Sequence, residues 1–243
     1  MIRKREICLA ISTAFLINAI NGATIIFDLD GVLLKTDRNI ASKAIGRHLF
    51  ISYLLSFNNP LKLQDMFFDY LESLRPRAFN TPKTAYKNRL LPQIMCDWLS
   101  GKCSSDYLRE LVQKNIEGNP FFTKRIEGKL LHAFANFMFT PQNFVSAVVP
   151  IKKGVALAKR CAKERDAYGN NKHRLILLSN WDRQSFSLML HDPKFSGIFS
   201  LFDDIIISGN VGKIKPDIGI FLDLFCKWDI NPDHDLCILI DNQ

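Results

Sequence analysis

Short unbroken apolar runs alternate with longer amphipathic stretches along this chain. TIIFDL, from Thr24 to Leu29, is apolar and β-branched and reads as a buried strand. RLILLSN (174–180), DDIIISG (203–209) and LCILIDN (236–242) read the same way. Between them, IKKGVALAKRCAKERDAYG (151–169) and PDIGIFLDLFCKWDI (216–230) have helical spacing, the second with Pro216 near its start. Strands that are apolar on both faces and alternate with helices predict an α/β fold: a Rossmann-like parallel sheet covered by helices.

From about Asp37 to Val145 the spacing becomes helical throughout. RNIASKAIGRHLFISYLLSF, LKLQDMFFDYLESL, TAYKNRLLPQIMCDWLSG, DYLRELVQKNIEG and TKRIEGKLLHAFANFMF follow one another. Asn59-Pro60, Arg75-Pro76 and Asn119-Pro120 punctuate them. The pattern predicts a core made of residues 24–36 and 146–243, with 37–145 inserted after the first strand as an all-helical domain. Residues 1–23 stand apart. MIRKRE is basic, ICLAISTAFLINAI is apolar and NGA is small, in the order of a secretory signal peptide. The apolar run is short for a stable membrane span. Cleavage near Ala23 would export the protein to the periplasm or medium and leave five cysteines; an uncleaved extra helix would leave it cytoplasmic.

Composition changes this picture little. The 243 residues are 47% apolar and 23% charged, ample for one core plus an insertion. The net charge of +8 is spread without blocks, so it reads as solvated surface, and no nucleic-acid partner is expected. No CxxC pair occurs, which argues against zinc; Cys226 and Cys237 fall in apolar segments and read as core. The five histidines show no metal spacing. Oligomeric state leaves no mark on the sequence.

The candidate chemistry lies where the strands end. Ligands of open α/β sheets bind beyond the carboxyl ends of the strands. There the chain sets Asp28 and Asp30 after the first strand, Ser179 and Asn180 after the second, and Asp241 after the last. The loop GNVGKIKPD brings Lys213 and Lys215 to the mouth of a helix. Three carboxylates, a hydroxyl, an amide and a lysine suit Mg²⁺ bound through oxygens and a phosphate held by hydroxyl, backbone N–H and ammonium. Trp181 and Asp182 follow directly, either lining the site or, for Asp182, capping the next helix. Phe134, Phe137, Phe139 and Phe144 read as an apolar wall under the insertion or as plain core.

FDLDGVLL, LLSN, GKIKPD and ILIDN, in this order, resemble the four motifs of the haloacid dehalogenase (HAD) superfamily of phosphohydrolases, and VVPIKKGVALAKRC resembles its re-entry into the core. The resemblance covers about 24–35 and 146–243; the insertion matches by position only, as a helical cap of the C1 type. It implies a Mg²⁺-dependent phosphatase acting on a small phosphorylated metabolite through an aspartyl-phosphate. Asp28 would be the nucleophile and Asp30 the acid and base. Ser179, the Asn180 backbone N–H and Lys215 would bind the phosphoryl group, with the Pro-Asp that follows selecting Lys215 over Lys213. Asp28, Asp241 and the Asp30 carbonyl would hold the metal. Members that cleave carbon–halogen bonds lack the second aspartate, because a halide needs no proton to leave. Asp30 therefore favours ester hydrolysis over dehalogenation. Two departures stand out: Asn242 follows Asp241 where a second acid is usual, and the chain stops at Gln243 where the family continues. A truncated product would leave the last strand as an edge, and a catalytically degenerate protein that binds a phosphorylated ligand or partner is the alternative reading.

Overall fold

A computed structural model describes residues 22–242 except 57, 60, 61, 80, 82, 87, 88 and 118. The leader read in the first 23 residues lies, through residue 21, outside the described residues, as do Cys8 and Gln243. Among the described residues no helix is long and apolar enough to cross a membrane.

The core is a four-stranded parallel sheet. β1 (Thr24–Phe27) lies between β6 (Arg174–Ser179) and β8 (Cys237–Ile240), and β7 (Asp204–Ile207) pairs with the far side of β6. Alternation along each strand divides the core in two. Ile25, Phe27, Leu175 and Leu177 point into one cluster, with Ala158, Phe186 and Phe195 from the helices Lys152–Lys163, Arg183–His191 and Pro193–Phe199. Ile26, Ile176, Leu178 and Ile206 point into the other, against Ile220 and Leu224 of the helix Ile218–Trp228. Apolar side chains on both faces are thus explained by helices on both faces. Among the described residues β8 stands at an edge of the sheet, and its Leu239 is 47% exposed.

The elements are shorter than the sequence spacing predicts. The segment 203–209 turns from strand to helix at Ser208, and the helix read over 151–169 ends at Lys163, beyond which Glu164 is extended. Cys226 is exposed and Cys237 only partly buried, which corrects the expectation that both are core. The helix Ile218–Trp228 buries Ile220 and Leu224, four residues apart, and position 226 falls off that stripe.

Helices from Arg38 to Ser146 form the inserted block, around its own core of Phe67, Leu71, Ile94, Leu108, Leu131 and Phe139. The stretch 84–101 is helical only over Gln93–Leu99. In its first part β3 (Ala85–Tyr86) pairs antiparallel with β4 (Arg89–Leu90), and the helix starts only after Pro92, which lacks the N–H that a helix interior requires and stands as the cap residue. The chain leaves the core through β2 (Leu34–Thr36) and returns through β5 (Val148–Pro150). These two pair antiparallel, Leu34 opposite Pro150 and Thr36 opposite Val148, so the two crossings form one ribbon. Three-residue strands carry too little alternation to be read from sequence.

Candidate active site

Register brings the strand ends together. Phe27 is level with Leu177 on one side and Ile240 on the other, so Asp28 and Asp241 project from adjacent strands one residue further on. The Asp28 N–H donates to the Ile240 carbonyl at 2.9 Å, which continues the ladder to the first carboxylate. Asp28 is buried, and its Oδ1 accepts from the Leu29 N–H at 2.8 Å and from Ser179 Oγ at 2.8 Å. Lys215 Nζ lies 3.1 Å from the same oxygen and 2.8 Å from Asp241 Oδ2. All of these contacts to Asp28 fall on Oδ1, so Oδ2 carries none of them. Lys213 instead pairs with Asp223 at 2.6 Å, away from the carboxylates.

The Asn180 side chain is engaged with the Lys215 backbone. Its Oδ1 accepts from the Lys215 N–H at 2.7 Å, and its Nδ2 donates to the Lys215 carbonyl at 2.9 Å. The side-chain amide thus mimics a strand partner and fixes the backbone that carries the ammonium. Thr84, from the inserted block, donates its hydroxyl to the same carbonyl at 2.7 Å. Sequence reading missed Thr84, because a lone threonine before a short hairpin gives no signal. It also missed Ser208, whose Oγ accepts from the Trp181 N–H at 2.9 Å and donates to Leu99 of the block at 2.6 Å. Asp182 is buried and caps the helix Arg183–His191 through the Ser185 N–H. Phe137 and Phe139 are core, whereas Phe144 reaches the cleft and packs on Trp181 with ring centres 5.6 Å apart.

Asp30 follows on the turn that leaves β1. The Leu33 and Leu34 N–H groups both donate to the Leu29 carbonyl and fold the chain back over Gly31. Gly31 has φ +75°, and a Cβ there would stand 1.7 Å from Asn242 Nδ2. Glycine is thus needed both for the turn and for the approach of Asn242. Asp30 and Asn242 line the same cleft as Asp28, Ser179, Asn180 and Lys215, a space of about 680 Å³ between the sheet rim and the block. A second cavity, of about 590 Å³, lies at the opposite end of the strands against Ala23, His173 and Asp203, and holds none of the predicted site residues.

The electrostatics are unbalanced toward negative charge. Burial pushes the Asp28 carboxyl above its ordinary range; Lys215 opposes this, Asp241 adds to it and Ser179 opposes it. Asp30 is reached by solvent within the cleft yet crowded by protein atoms, and that desolvation, with the Asp28 charge, pushes it up to about 6. Among the described residues no three acidic, histidine or cysteine side chains form a metal cage by themselves. Two carboxylates and a carbonyl at one rim nevertheless suit Mg²⁺, which uses one or two carboxylates and completes its shell with water and phosphate. Carboxyls raised by crowding are what a divalent ion would relieve, so the donor set fits the metal.

No family model matches the sequence, and no curated protein matches it. Solved structures do. One is a HAD family enzyme from Bacteroides thetaiotaomicron, an aspartate-to-alanine mutant in complex with magnesium and inorganic phosphate. It matches at TM-score 0.53 and 15% identity, over 92% of this chain and 86% of that one. Another is a predicted HAD-like family hydrolase from Porphyromonas gingivalis, at TM-score 0.50 and 21% identity, over 91% of this chain and 82% of that one. With its parallel sheet, helical insertion and converging strand ends, the chain has the fold of the HAD-family hydrolases, the fold its four motifs imply.

Proposed function

We propose that the protein is a phosphate monoester hydrolase that works through an aspartyl-phosphate on Asp28, with the inserted block as its cap. The observation that carries this reading is the position of Lys215 Nζ, 3.1 Å from Asp28 and 2.8 Å from Asp241. A carboxylate attacking an anionic ester faces like-charge repulsion, and a cation between the carboxylates and the phosphoryl oxygens lowers it. Asp28 attacks phosphorus while Ser179 Oγ turns its hydrogen bond from Asp28 to a phosphoryl oxygen. Asp30, raised to about 6 by burial and by Asp28, is partly protonated near neutral pH and protonates the leaving oxygen. As a carboxylate it then takes a proton from the water that cleaves the acyl phosphate. Asn180 and Thr84 hold the Lys215 backbone through these steps. Asp28, Asp241 and the Asp30 carbonyl would hold Mg²⁺, which would add positive charge against the phosphoryl oxygens. The magnesium and phosphate named for the Bacteroides enzyme support the same pair of ligands here. A small phosphorylated metabolite is the natural substrate class.

The test is release of p-nitrophenol from p-nitrophenyl phosphate with and without Mg²⁺. Turnover is expected to stop with chelator and return with Mg²⁺, and Asp28→Asn should lower it about 10³-fold or more. A folded protein that turns over no member of a broad phosphate-ester panel would instead be a binder of phosphorylated ligands. Halide release from a small haloacid would make it a dehalogenase, against the presence of Asp30.

A further inference from the structure

The cleft has two walls of different chemistry, and only the sheet rim is accounted for by phosphoryl transfer. Tyr86, Met95, Trp98, Leu99, Met138 and Phe144 make up much of the remainder, with Trp181 and the hydroxyl-bearing Thr36 beside them. The indole N–H of Trp98 is engaged within the block, donating to Ser105 Oγ at 2.9 Å, and the Thr84 hydroxyl donates to the Lys215 carbonyl. Among the described lining residues the sole cation is Lys215, buried and held by two carboxylates. Asp182, the acid of this stretch outside the proposed catalytic set, points its Oδ1 at the Ser185 N–H.

Resting on the phosphatase reading of this site, we propose that its substrates are phosphate monoesters whose leaving group is uncharged and largely apolar, an aryl or arylalkyl alcohol. A carboxylate or second phosphate on the leaving group would lose part of its water against carbon, with no cation among the described lining residues left to meet it. An aromatic ring finds the opposite. Trp98 and Phe144 offer ring edges and faces, and Met95 and Met138 offer polarisable sulfur. The space of about 680 Å³ lies within the range of small-molecule sites and admits a phosphoryl group with a ring beyond it.

Matched pairs remove the effect of leaving-group acidity. Benzyl phosphate and 4-carboxybenzyl phosphate differ by one remote charge. Benzyl phosphate should be hydrolysed with the higher kcat/KM, by about 100-fold, the discrimination expected when a charge lacks a partner in a site. Calorimetric titration of the Mg²⁺-loaded protein with benzylphosphonate and 4-carboxybenzylphosphonate gives the same comparison without turnover, and the uncharged ligand should bind more tightly. Met138→Lys sets a cation in the wall and should bring the carboxylated partner level or ahead; Leu99→Lys serves if the first variant fails to fold. Equal or tighter binding of the carboxylated phosphonate by the unaltered protein, or binding of neither, overturns the proposal. Selective binding of benzylphosphonate with no hydrolysis of either ester overturns the phosphatase reading and leaves the ligand class standing.

Discussion

Along the sheet rim, Asp28, Ser179, Lys215 and Asp241 are joined by contacts of 2.8 to 3.1 Å, and each stands at the end of a strand or on the loop leading from one. Across the cleft, Met95, Trp98, Leu99 and Met138 come from two separate helices, Gln93–Leu99 and Ile126–Met138, and meet the ligand space with carbon and sulfur. Backbone register fixes the rim: once β1 pairs with β6 and β8, the polar atoms can stand in few other places. Side-chain packing fixes the other wall, and helices can present many different surfaces with the same packing. If the proposed function holds, chemistry and choice of substrate are held by two kinds of constraint, which different substitutions should separate.

The largest separation should come from Lys215→Met. It removes the ammonium between two carboxylates and should lower kcat/KM for p-nitrophenyl phosphate about 10³-fold, the scale of losing one aimed charge in a water-poor site. Met138→Ala, on the other wall, should change the same constant by less than about 10-fold, one apolar contact's worth of discrimination. Similar losses in the two variants would erase the distinction between the walls. Next come paired cavities in the two cores. Leu177→Ala beneath Ser179 and Leu108→Ala within the block each truncate a fully buried side chain, and each should cost about 3 kcal/mol in urea unfolding. At equal folded fraction Leu177→Ala should lower kcat more than Leu108→Ala, because Leu177 precedes Ser179 by two residues on the same strand, whereas Leu108 reaches the rim only through the cluster that holds Ile214.

Thr84 is the exception that tests the division, since a residue of the block holds the carbonyl of the rim lysine. Thr84→Val keeps the shape and removes the donor. It should lower kcat about 10-fold with KM little changed and cost about 1 kcal/mol in stability, the usual worth of one buried hydrogen bond. Thr84→Ser should restore both. A change in KM alone would make Thr84 a wall residue like its neighbours.

How legible each region is in the sequence follows the same line. Asp28, Ser179 and Asp241 could be named because strands of unbroken apolar residues announce themselves and their ends follow from length, whereas Lys215 stands on a loop beyond Ile207 and is singled out by the resemblance to the HAD motifs. The same resemblance sets Lys213 aside, because Pro-Asp follows Lys215; Lys213 pairs with Asp223. The hairpin at Ala85–Tyr86 and the ribbon of β2 with β5 could not be read, since two or three residues carry no period. Thr84, Ser208 and the side chain of Asn180 escaped for another reason. Their partners are backbone carbonyls and amides of distant segments, and such contacts exist only once the fold has formed.

The smallest effect concerns acid, where the two regions should respond with opposite sign. His132, in the block, has its pKa lowered by burial below the ordinary 6.5. Above 6.5 the folded and unfolded chains are both neutral there. As pH falls through 6.5 the unfolded chain takes up the proton first, so this group subtracts stability until the folded imidazole is also charged. Asp182, beside the rim, has its carboxyl raised above 3.8 by burial, with the hydrogen bonds of its cap opposing. Its folded form takes up a proton first, so this group adds stability as pH falls through the folded pKa and ceases to add more below 3.8. His132→Gln should therefore flatten the loss of stability just below pH 6.5 in urea titrations. Asp182→Asn should keep the cap, raise stability at neutral pH and remove the gain on acidification, whereas Asp182→Ala should cost about 1 kcal/mol through the lost cap. A slope of the same sign from both asparagine and glutamine variants would mean that burial does not govern both groups, and that the rim and the block do not differ in this respect.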